Sequence, residues 1–183
     1  MNRRAFLLST LAASAGGCAA IDDYVANLPA RIPDAPAIMS PDFMVDAMLS
    51  LAEVRAGDML YDLGCGDGRI VIAAAQRGAR GVGVDIDPRQ IRLATAATAT
   101  ATATARVSDR VNFVMTDLFT MDLRDATVVS LYLREEINIK LAPRLKAQLR
   151  PGTRIVSHQF GMDTWEPETR LIVGGRYLYR WII

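Results

Sequence analysis

A run of glycines separated by single residues is the part of the chain best suited to hold a ligand. Gly64, Gly66 and Gly68 stand at alternate positions. They follow the apolar residues 59–61 and precede the apolar run 70–75, which predicts a loop between a strand and a helix. Because glycine has no Cβ, such a loop brings backbone N–H groups close to a ligand. The spacing therefore predicts a nucleotide-binding turn.

The position of the third glycine distinguishes between kinds of nucleotide site. A dinucleotide fingerprint, G-x-G-x-x-G, needs its last glycine where Arg69 stands, so an NAD-dependent oxidoreductase is disfavoured and is kept only as a rival. A P-loop needs Lys followed by Ser or Thr after its last glycine, and Arg69-Ile70 supplies neither. NTP hydrolysis is disfavoured as well.

An acidic residue at the head of the loop completes a recognisable motif. The pattern D-x-G-x-G-x-G from Asp62 to Gly68 resembles motif I of the class I S-adenosylmethionine (SAM) dependent methyltransferases. The resemblance implies that SAM is the cofactor and that the whole motif contacts it. The expected contacts are Asp62, Gly64, Cys65, Gly66, Asp67 and Gly68. Two of them have alternatives, since Asp67 also suits a turn and Cys65 also suits a small, inert loop position.

Two further acids end the next strands along the chain. Asp85 ends the buried strand that begins at Gly81, and doubly wound folds place a ribose-binding carboxylate at that point. Asp85 is therefore the expected ribose ligand, with Ile86 beside it in the cofactor site. In the resembled family, the acid that ends the following strand contacts the adenine amino group and its neighbour packs on the ring. Asp117 and Leu118 match those positions. Asp87 precedes Pro88 and is expected to cap a helix instead.

Strand and helix patterns alternate through the rest of the chain. Strands are expected at 126–133 and 153–158, with a helix from about 137 to 149 between them, and the Ala/Thr run 94–105 is expected to be a crossover helix. The expected fold class is α/β, a doubly wound, mostly parallel Rossmann-like sheet with a C-terminal antiparallel hairpin. Gly174-Gly175 is the expected hairpin turn. The short stretch before the hairpin predicts that the helix usually found there is shortened or lost.

Length and charge limit the domain organisation and the partners. The chain has 183 residues, 51% of them apolar, and a net charge of +1. One methyltransferase domain over 41–183 is expected, preceded by a linker or arm over 21–40 and an export signal over 1–20. A nucleic-acid partner is not expected, because no basic run with interleaved aromatic residues is present. The resemblance implies no metal.

The first residues are typical of an export signal. Arg3-Arg4 resembles a twin-arginine signal, and the short apolar run that follows ends before Cys18, in a segment that resembles a lipobox. The expected location is therefore outside the cytoplasm, periplasmic or membrane-anchored through a lipid on Cys18. If the leader is not a functional signal, the chain is cytoplasmic. Export would separate the protein from the intracellular supply of SAM.

The acceptor and the catalytic groups are less sharply indicated than the cofactor. No N-P-P-Y type motif follows the fourth strand, which disfavours planar nitrogens as acceptors, and the candidates there are Tyr132 and the acids Glu135 and Glu136. The alternative for these residues is a tyrosine at a strand end and solvated acids that start a helix, so no catalytic residue is assigned. His158 is expected to be a structural hydrogen-bonding residue. Residues 62–75 are similar to small protein-lysine methyltransferases, so the expected acceptor is a protein lysine or a small molecule. The alternative function is an exported lipoprotein that binds SAM without turnover.

Overall fold

The computed structural model describes residues 39–105 and 107–183. The leader with Cys18, and all but the last two residues of the linker, lie outside the described residues. Predictions of export and lipid attachment therefore stay predictions. Among the described helices, none combines the length and the apolar character needed to cross a bilayer.

Helices and strands alternate along the described chain. In order they are α1 (Asp42–Leu51), β1 (Met59–Leu63), α2 (Arg69–Gln76), β2 (Arg80–Asp85), α3 (Pro88–Ala105), β3 (Val111–Met115), β4 (Val128–Leu131), α4 (Glu135–Gln148), β5 (Arg154–His158), β6 (Thr169–Val173) and β7 (Arg176–Ile182). A single 3-10 turn, Ser108–Arg110, leads into β3.

The strands form one sheet whose order creates a binding crevice. The seven strands are arranged β3-β2-β1-β4-β5-β7-β6, and only β7 runs antiparallel to its neighbours. β1 pairs with β2 on one side and β4 on the other, so the chain order reverses at this point. Ligands of open α/β sheets bind at the carboxyl ends of the strands beside such a reversal. The predicted fold class is confirmed.

The helices cover both faces of the sheet with apolar side chains. On one face, Met48 and Leu49 of α1 are fully buried in a cluster with Leu60 of β1 and Val156 of β5. On the other face, buried leucines of α4 pack against the sheet. This cluster includes Leu141 and Leu145 of α4, Leu131 of β4, Ile155 of β5 and Trp181 of β7. Helix α1 begins directly after Pro41.

The Ala/Thr run forms a helix despite its strand-like alternation. Within α3, the hydroxyls of Thr95 and Thr98 donate to the carbonyl oxygens of Ile91 and Ala94, at 2.8 and 3.0 Å. These bonds to carbonyls four residues earlier satisfy the hydroxyls inside the helix itself. The predicted crossover helix is confirmed.

A loop stands before the hairpin, where the helix was predicted to be shortened or lost. Residues 159–168 contain turns and bends and no helix. The indole Nε1 of Trp181 on β7 donates to the carbonyl oxygen of Trp165 in this loop, at 2.7 Å, and so ties the loop to the sheet. The Gly174-Gly175 turn follows β6 directly, as predicted.

Candidate active site

The glycine loop connects β1 to α2 with a left-handed backbone at its glycines. Gly66 and Gly68 have φ of +53° and +77°. A Cβ on Gly68 would lie 2.7 Å from the ring of Phe113 and 2.8 Å from the Cβ of Ala94, so close packing requires glycine there. A Cβ on Gly66 would meet nothing nearer than Gln90 Oε1 at 3.9 Å, so its open side can admit a ligand against the backbone.

Asp85 ties the end of β2 to the glycine loop. Its Oδ2 accepts a hydrogen bond from the backbone N–H of Gly66 at 3.0 Å, and its Oδ1 accepts one from Asp87 at 2.9 Å. A carboxylate offers about four lone-pair positions, so ribose hydroxyls can still donate to it. Burial raises the pKa of Asp85, and the backbone hydrogen bonds oppose that shift. The structure therefore brings the predicted ribose ligand against the predicted loop.

Asp62 lies beneath this loop with one carboxylate oxygen unpaired. It is 2% exposed, and its Oδ1 accepts a hydrogen bond from Ser130 Oγ on β4 at 2.7 Å. Its buried Oδ2 has no hydrogen-bond partner. Burial raises the pKa of Asp62 to about 7, and the negative charge of Asp85 adds to this shift. A cationic ligand would relieve that cost, and SAM carries both an ammonium and a sulfonium, so the residues present fit this cofactor.

The raised pKa of Asp62 predicts opposite pH dependences for stability and for cofactor affinity. The folded protein holds this proton more tightly than the unfolded chain, whose pKa is near 3.8. The contribution of Asp62 to stability should therefore fall by up to about 1.4 kcal/mol per unit as the pH rises from about 4 to about 7. His158, whose pKa burial lowers to about 4, contributes the opposite slope up to about pH 6.5, so the Asp62 contribution is measured as the difference between the wild type and Asp62→Asn. SAM affinity should rise over the upper part of the same range, because the cation favours the ionised carboxylate.

Urea unfolding and calorimetric titration with SAM between pH 5.5 and 8.5 measure the two dependences. In Asp62→Asn the fall in stability that Asp62 contributes should be absent, and the pH dependence of SAM affinity should be lost, because the amide does not titrate. If Asp62→Asn keeps the pH dependence of the wild type, the assignment of this pKa to Asp62 is wrong.

The two polar residues within the glycine loop are engaged by the protein itself. Both carboxylate oxygens of Asp67 accept hydrogen bonds from the guanidinium of Arg69. Oδ1 accepts from Nε at 3.0 Å, and Oδ2 accepts from Nη2 at 2.7 Å. Cys65 is buried, and a Cβ on Gly83 would lie 2.9 Å from its Sγ. Burial raises the pKa of the Cys65 thiol, which keeps it protonated. The side chain of Asp67 thus orders the loop, and that of Cys65 packs beneath it.

The residues predicted at the ribose and adenine end lie together. The backbone N–H of Thr116 donates to the carbonyl oxygen of Asp85 at 3.0 Å, which continues the pairing of β2 with β3 to the point where Ile86 and Asp117 follow these two residues. Asp117 Oδ1 accepts from the N–H of Phe119 at 2.9 Å, and Leu118 packs against the core on the α4 face. The roles of these residues stay predictions.

Asp87 caps α3, as predicted. Its Oδ1 accepts from the backbone N–H of Arg89 at 2.9 Å, which satisfies a donor in the first turn after Pro88.

The other half of the crevice lies at the ends of β4 and β5. Tyr132 follows β4, and its ring stacks on that of His158 with centroids 3.9 Å apart. Its hydroxyl accepts a hydrogen bond from Arg176 Nη1 at 3.2 Å. Glu135 opens α4, and its Oε1 lies 3.9 Å from where a Cβ of Gly161 would stand. The structure places Tyr132 and Glu135 at the same end of the sheet as the glycine loop, and their catalytic roles stay predictions.

The sequence did not indicate two buried polar residues at this end. Ser40, just before α1, bonds His158 Nδ1 through its hydroxyl at 2.9 Å, although 118 positions separate the two residues. Asn138, in the second turn of α4, is fully buried and donates from Nδ2 to the carbonyl oxygens of Phe160 and Gly161, each at 3.2 Å. No spacing rule links such distant partners, so only the fold could bring them together.

Comparison with known proteins agrees with this geometry. Residues 62–169 match the family model described as the ANTKMT methyltransferase domain. A protein-lysine N-methyltransferase of Saccharolobus islandicus is 40% identical over 75% of this chain and 84% of its own length. The adenine nucleotide translocase lysine N-methyltransferase of Mus musculus is 37% identical over 67% of this chain. The match spans only about half, 52%, of the mouse protein.

A solved structure shares both the fold and much of the sequence. It is described as an RNA methyltransferase from Salinibacter ruber in complex with S-adenosyl-L-homocysteine. Its TM-score is 0.76 and its identity 48%, over 80% of this chain and 94% of the other. The relatives thus share a methyltransferase description and differ in the acceptor that their names state.

Proposed function

The chain belongs to the class I SAM-dependent methyltransferases, with an ANTKMT-type domain, and from this premise we propose that it methylates a lysine side chain of a protein. It is an enzyme, and its methyl donor is SAM. The observation that carries the lysine proposal is the likeness, over most of its length, to a relative named for protein-lysine methylation. Binding without turnover is not favoured, because relatives across the whole domain are named as methyltransferases.

The cofactor half of the crevice is suited to bind and orient the donor. Bound SAM supplies an electrophilic methyl group on a sulfonium. The buried carboxylate of Asp62 lies beneath the loop, where its negative charge favours the cationic end of the ligand, and Asp85 offers its remaining lone pairs to ribose hydroxyls. Gly66 leaves the backbone open between them. In such a site positioning supplies most of the rate enhancement.

The acceptor half must deliver a neutral amine, because an ammonium has no lone pair to attack with. A free lysine has a pKa near 10.4, so its ammonium group has to lose a proton to solvent water before the transfer. Glu135 is exposed at the start of α4 and can attract the incoming ammonium. Tyr132, fixed by His158 and Arg176, provides a flat aromatic wall beside it. We assign attraction of the amine to Glu135 and its orientation to Tyr132.

A transfer assay with labelled SAM tests the acceptor class. The chain is incubated with SAM carrying a tritiated methyl group and with separate protein and RNA fractions of its native host, and Asp85→Ala serves as the inactive control. We expect label in protein that acid hydrolysis releases as methylated lysine. Label that ribonuclease releases from the RNA fraction would contradict the proposal. The near-balanced net charge of +1 argues against RNA, since RNA binding favours a basic surface.

On the leader motif alone we further propose export and lipid attachment at Cys18. Fractionation of the native host should find the full chain outside the cytoplasm, in the membrane fraction. Cys18→Ala should release it from the membrane while leaving its export intact. Recovery of the wild-type chain in the cytoplasm would contradict export.

A further inference from the structure

We propose that His158 is a positioning residue of the acceptor site, which Ser40 orients and which in turn holds Tyr132 where the acceptor enters. The inference rests on the proposed function, because it needs an acceptor that docks beside Tyr132. It assigns roles to two buried residues that the sequence did not place in the site.

The imidazole of His158 is buried, and one partner orients it. It is fully buried, and burial lowers its pKa to about 4, with the positive charge of Arg176 adding to the shift. It is therefore neutral near pH 7 and exists as one of two tautomers. The hydroxyl of Ser40 bonds Nδ1 at 2.9 Å, while Nε2 has no hydrogen-bond partner. Ser40 is thus the hydrogen-bonding contact that fixes the orientation of the imidazole ring.

The imidazole in turn supports the phenol ring of Tyr132. The two rings are 3.9 Å apart at their centroids and inclined by only 27°. Arg176 Nη1 donates to the Tyr132 hydroxyl at 3.2 Å. The ring is therefore fixed at its face by His158 and at its tip by Arg176, so rotation about its side-chain bonds is restricted.

Ser40 is anchored to the glycine loop by its backbone. Its carbonyl oxygen accepts a hydrogen bond from Arg69 Nη1 at 2.9 Å, and the carboxylate of Asp67 accepts hydrogen bonds from the same guanidinium. A continuous set of contacts therefore runs from the cofactor loop through Arg69, Ser40 and His158 to Tyr132. Ser40 lies at the midpoint, with its carbonyl towards the cofactor half and its hydroxyl towards the acceptor half.

This geometry gives His158 an indirect role. Its Nε2 is buried and cannot take a proton from an acceptor in solvent. Methyl transfer depends on alignment of the attacking nitrogen with the methyl group, and a misplacement of about 1 Å can cost about 100-fold in rate. By holding the ring of Tyr132 in place, His158 fixes one side of the acceptor site without touching the reacting atoms.

Steady-state kinetics of methyl transfer to a lysine-containing acceptor tests this role. Ser40→Ala removes the hydroxyl, and His158→Phe keeps an aromatic ring for stacking but loses the bond to Ser40. We expect kcat to fall by about 10-fold or more in each, with affinity for S-adenosylhomocysteine within about 3-fold of wild type. Ser40→Thr should recover most of kcat, and Ser50→Ala, at an exposed position of α1, is the matched control. A loss of affinity for S-adenosylhomocysteine as large as the fall in kcat, in both variants, would overturn the proposal.

A double-mutant cycle separates positioning from general damage. If His158 acts through Tyr132, then His158→Phe should lower kcat in the wild type and have little further effect in Tyr132→Ala. A His158→Phe effect that persists in full without Tyr132 would overturn the proposal.

Nitrogen NMR gives a readout that does not depend on activity. His158 is the one histidine of the chain, so labelling histidine with 15N in a protein purified without a histidine tag yields one pair of ring signals. We expect a single neutral tautomer at pH 7, with signals that change in Ser40→Ala and in Tyr132→Ala. Ring signals that are the same in the wild type, Ser40→Ala and Tyr132→Ala would overturn the positioning role. A wild type that methylates no lysine would instead contradict the proposed function, and the NMR result would still decide the positioning.

Discussion

Asp85→Ala is expected to weaken binding of S-adenosylhomocysteine by at least about 100-fold. We expect the carboxylate to accept hydrogen bonds from two ribose hydroxyls, and bonds to a charged acceptor contribute about 1.5–3 kcal/mol each. It also holds the N–H of Gly66, at 3.0 Å, in the glycine loop. Loss of that bond should loosen the loop as well as remove the ribose contact.

Calorimetric titration with S-adenosylhomocysteine measures this loss, and urea unfolding separates it from loss of the fold. We expect unfolding of Asp85→Ala to be easier by only about 1–2 kcal/mol, because two backbone donors lose their acceptor. Asp109→Asn, at an exposed position before β3, is the matched control and should bind as the wild type does. Wild-type affinity in a folded Asp85→Ala protein would show that Asp85 does not contact the cofactor.

Gly66→Ala is expected to abolish measurable cofactor binding while leaving the protein folded. With φ at +53°, alanine costs about 1–2 kcal/mol of stability. The added methyl group has room in the protein, because its nearest neighbour would lie at 3.9 Å. We expect the cofactor to occupy that space beside the backbone, so the added methyl group should lower affinity by at least about 100-fold through steric exclusion.

Gly57→Ala supplies a matched control for backbone strain. Gly57 also has a positive φ, +93°, with nothing within 4 Å of an added Cβ, and it precedes β1 at the opposite end of the sheet. Gly57→Ala should lose at least as much stability as Gly66→Ala and keep full affinity for S-adenosylhomocysteine. If the two variants bind equally well, Gly66 does not approach the cofactor.

Much of the cofactor half could be predicted because its signals are local. The glycine spacing from Gly64 to Gly68 reports a turn that only a positive φ allows, and that conformation is a property of a few consecutive residues. Asp85 follows from the position of an acid at the end of a strand. The hairpin likewise follows from Gly174-Gly175 between two apolar runs.

The acceptor half could not be predicted to the same depth. Tyr132 was a candidate because it follows the fourth strand, yet its partners, His158 and Arg176, come from other strands. Nothing near Ser40 in the sequence indicates that its hydroxyl meets β5. These contacts depend on which strands pair and in what register, and register is decided by packing of the whole sheet.

The sequence by itself determined the fold class, the glycine loop and the acids that end the strands, because turns and strand ends depend on a few consecutive residues. Only the tertiary structure decided that Asp62 keeps an unpaired oxygen and a pKa near 7, since both follow from burial by distant elements. It also decided that Ser40 and His158, 118 positions apart, meet across the crevice. Pairing of β4 with β5, and packing of α1 against their face, bring those residues together.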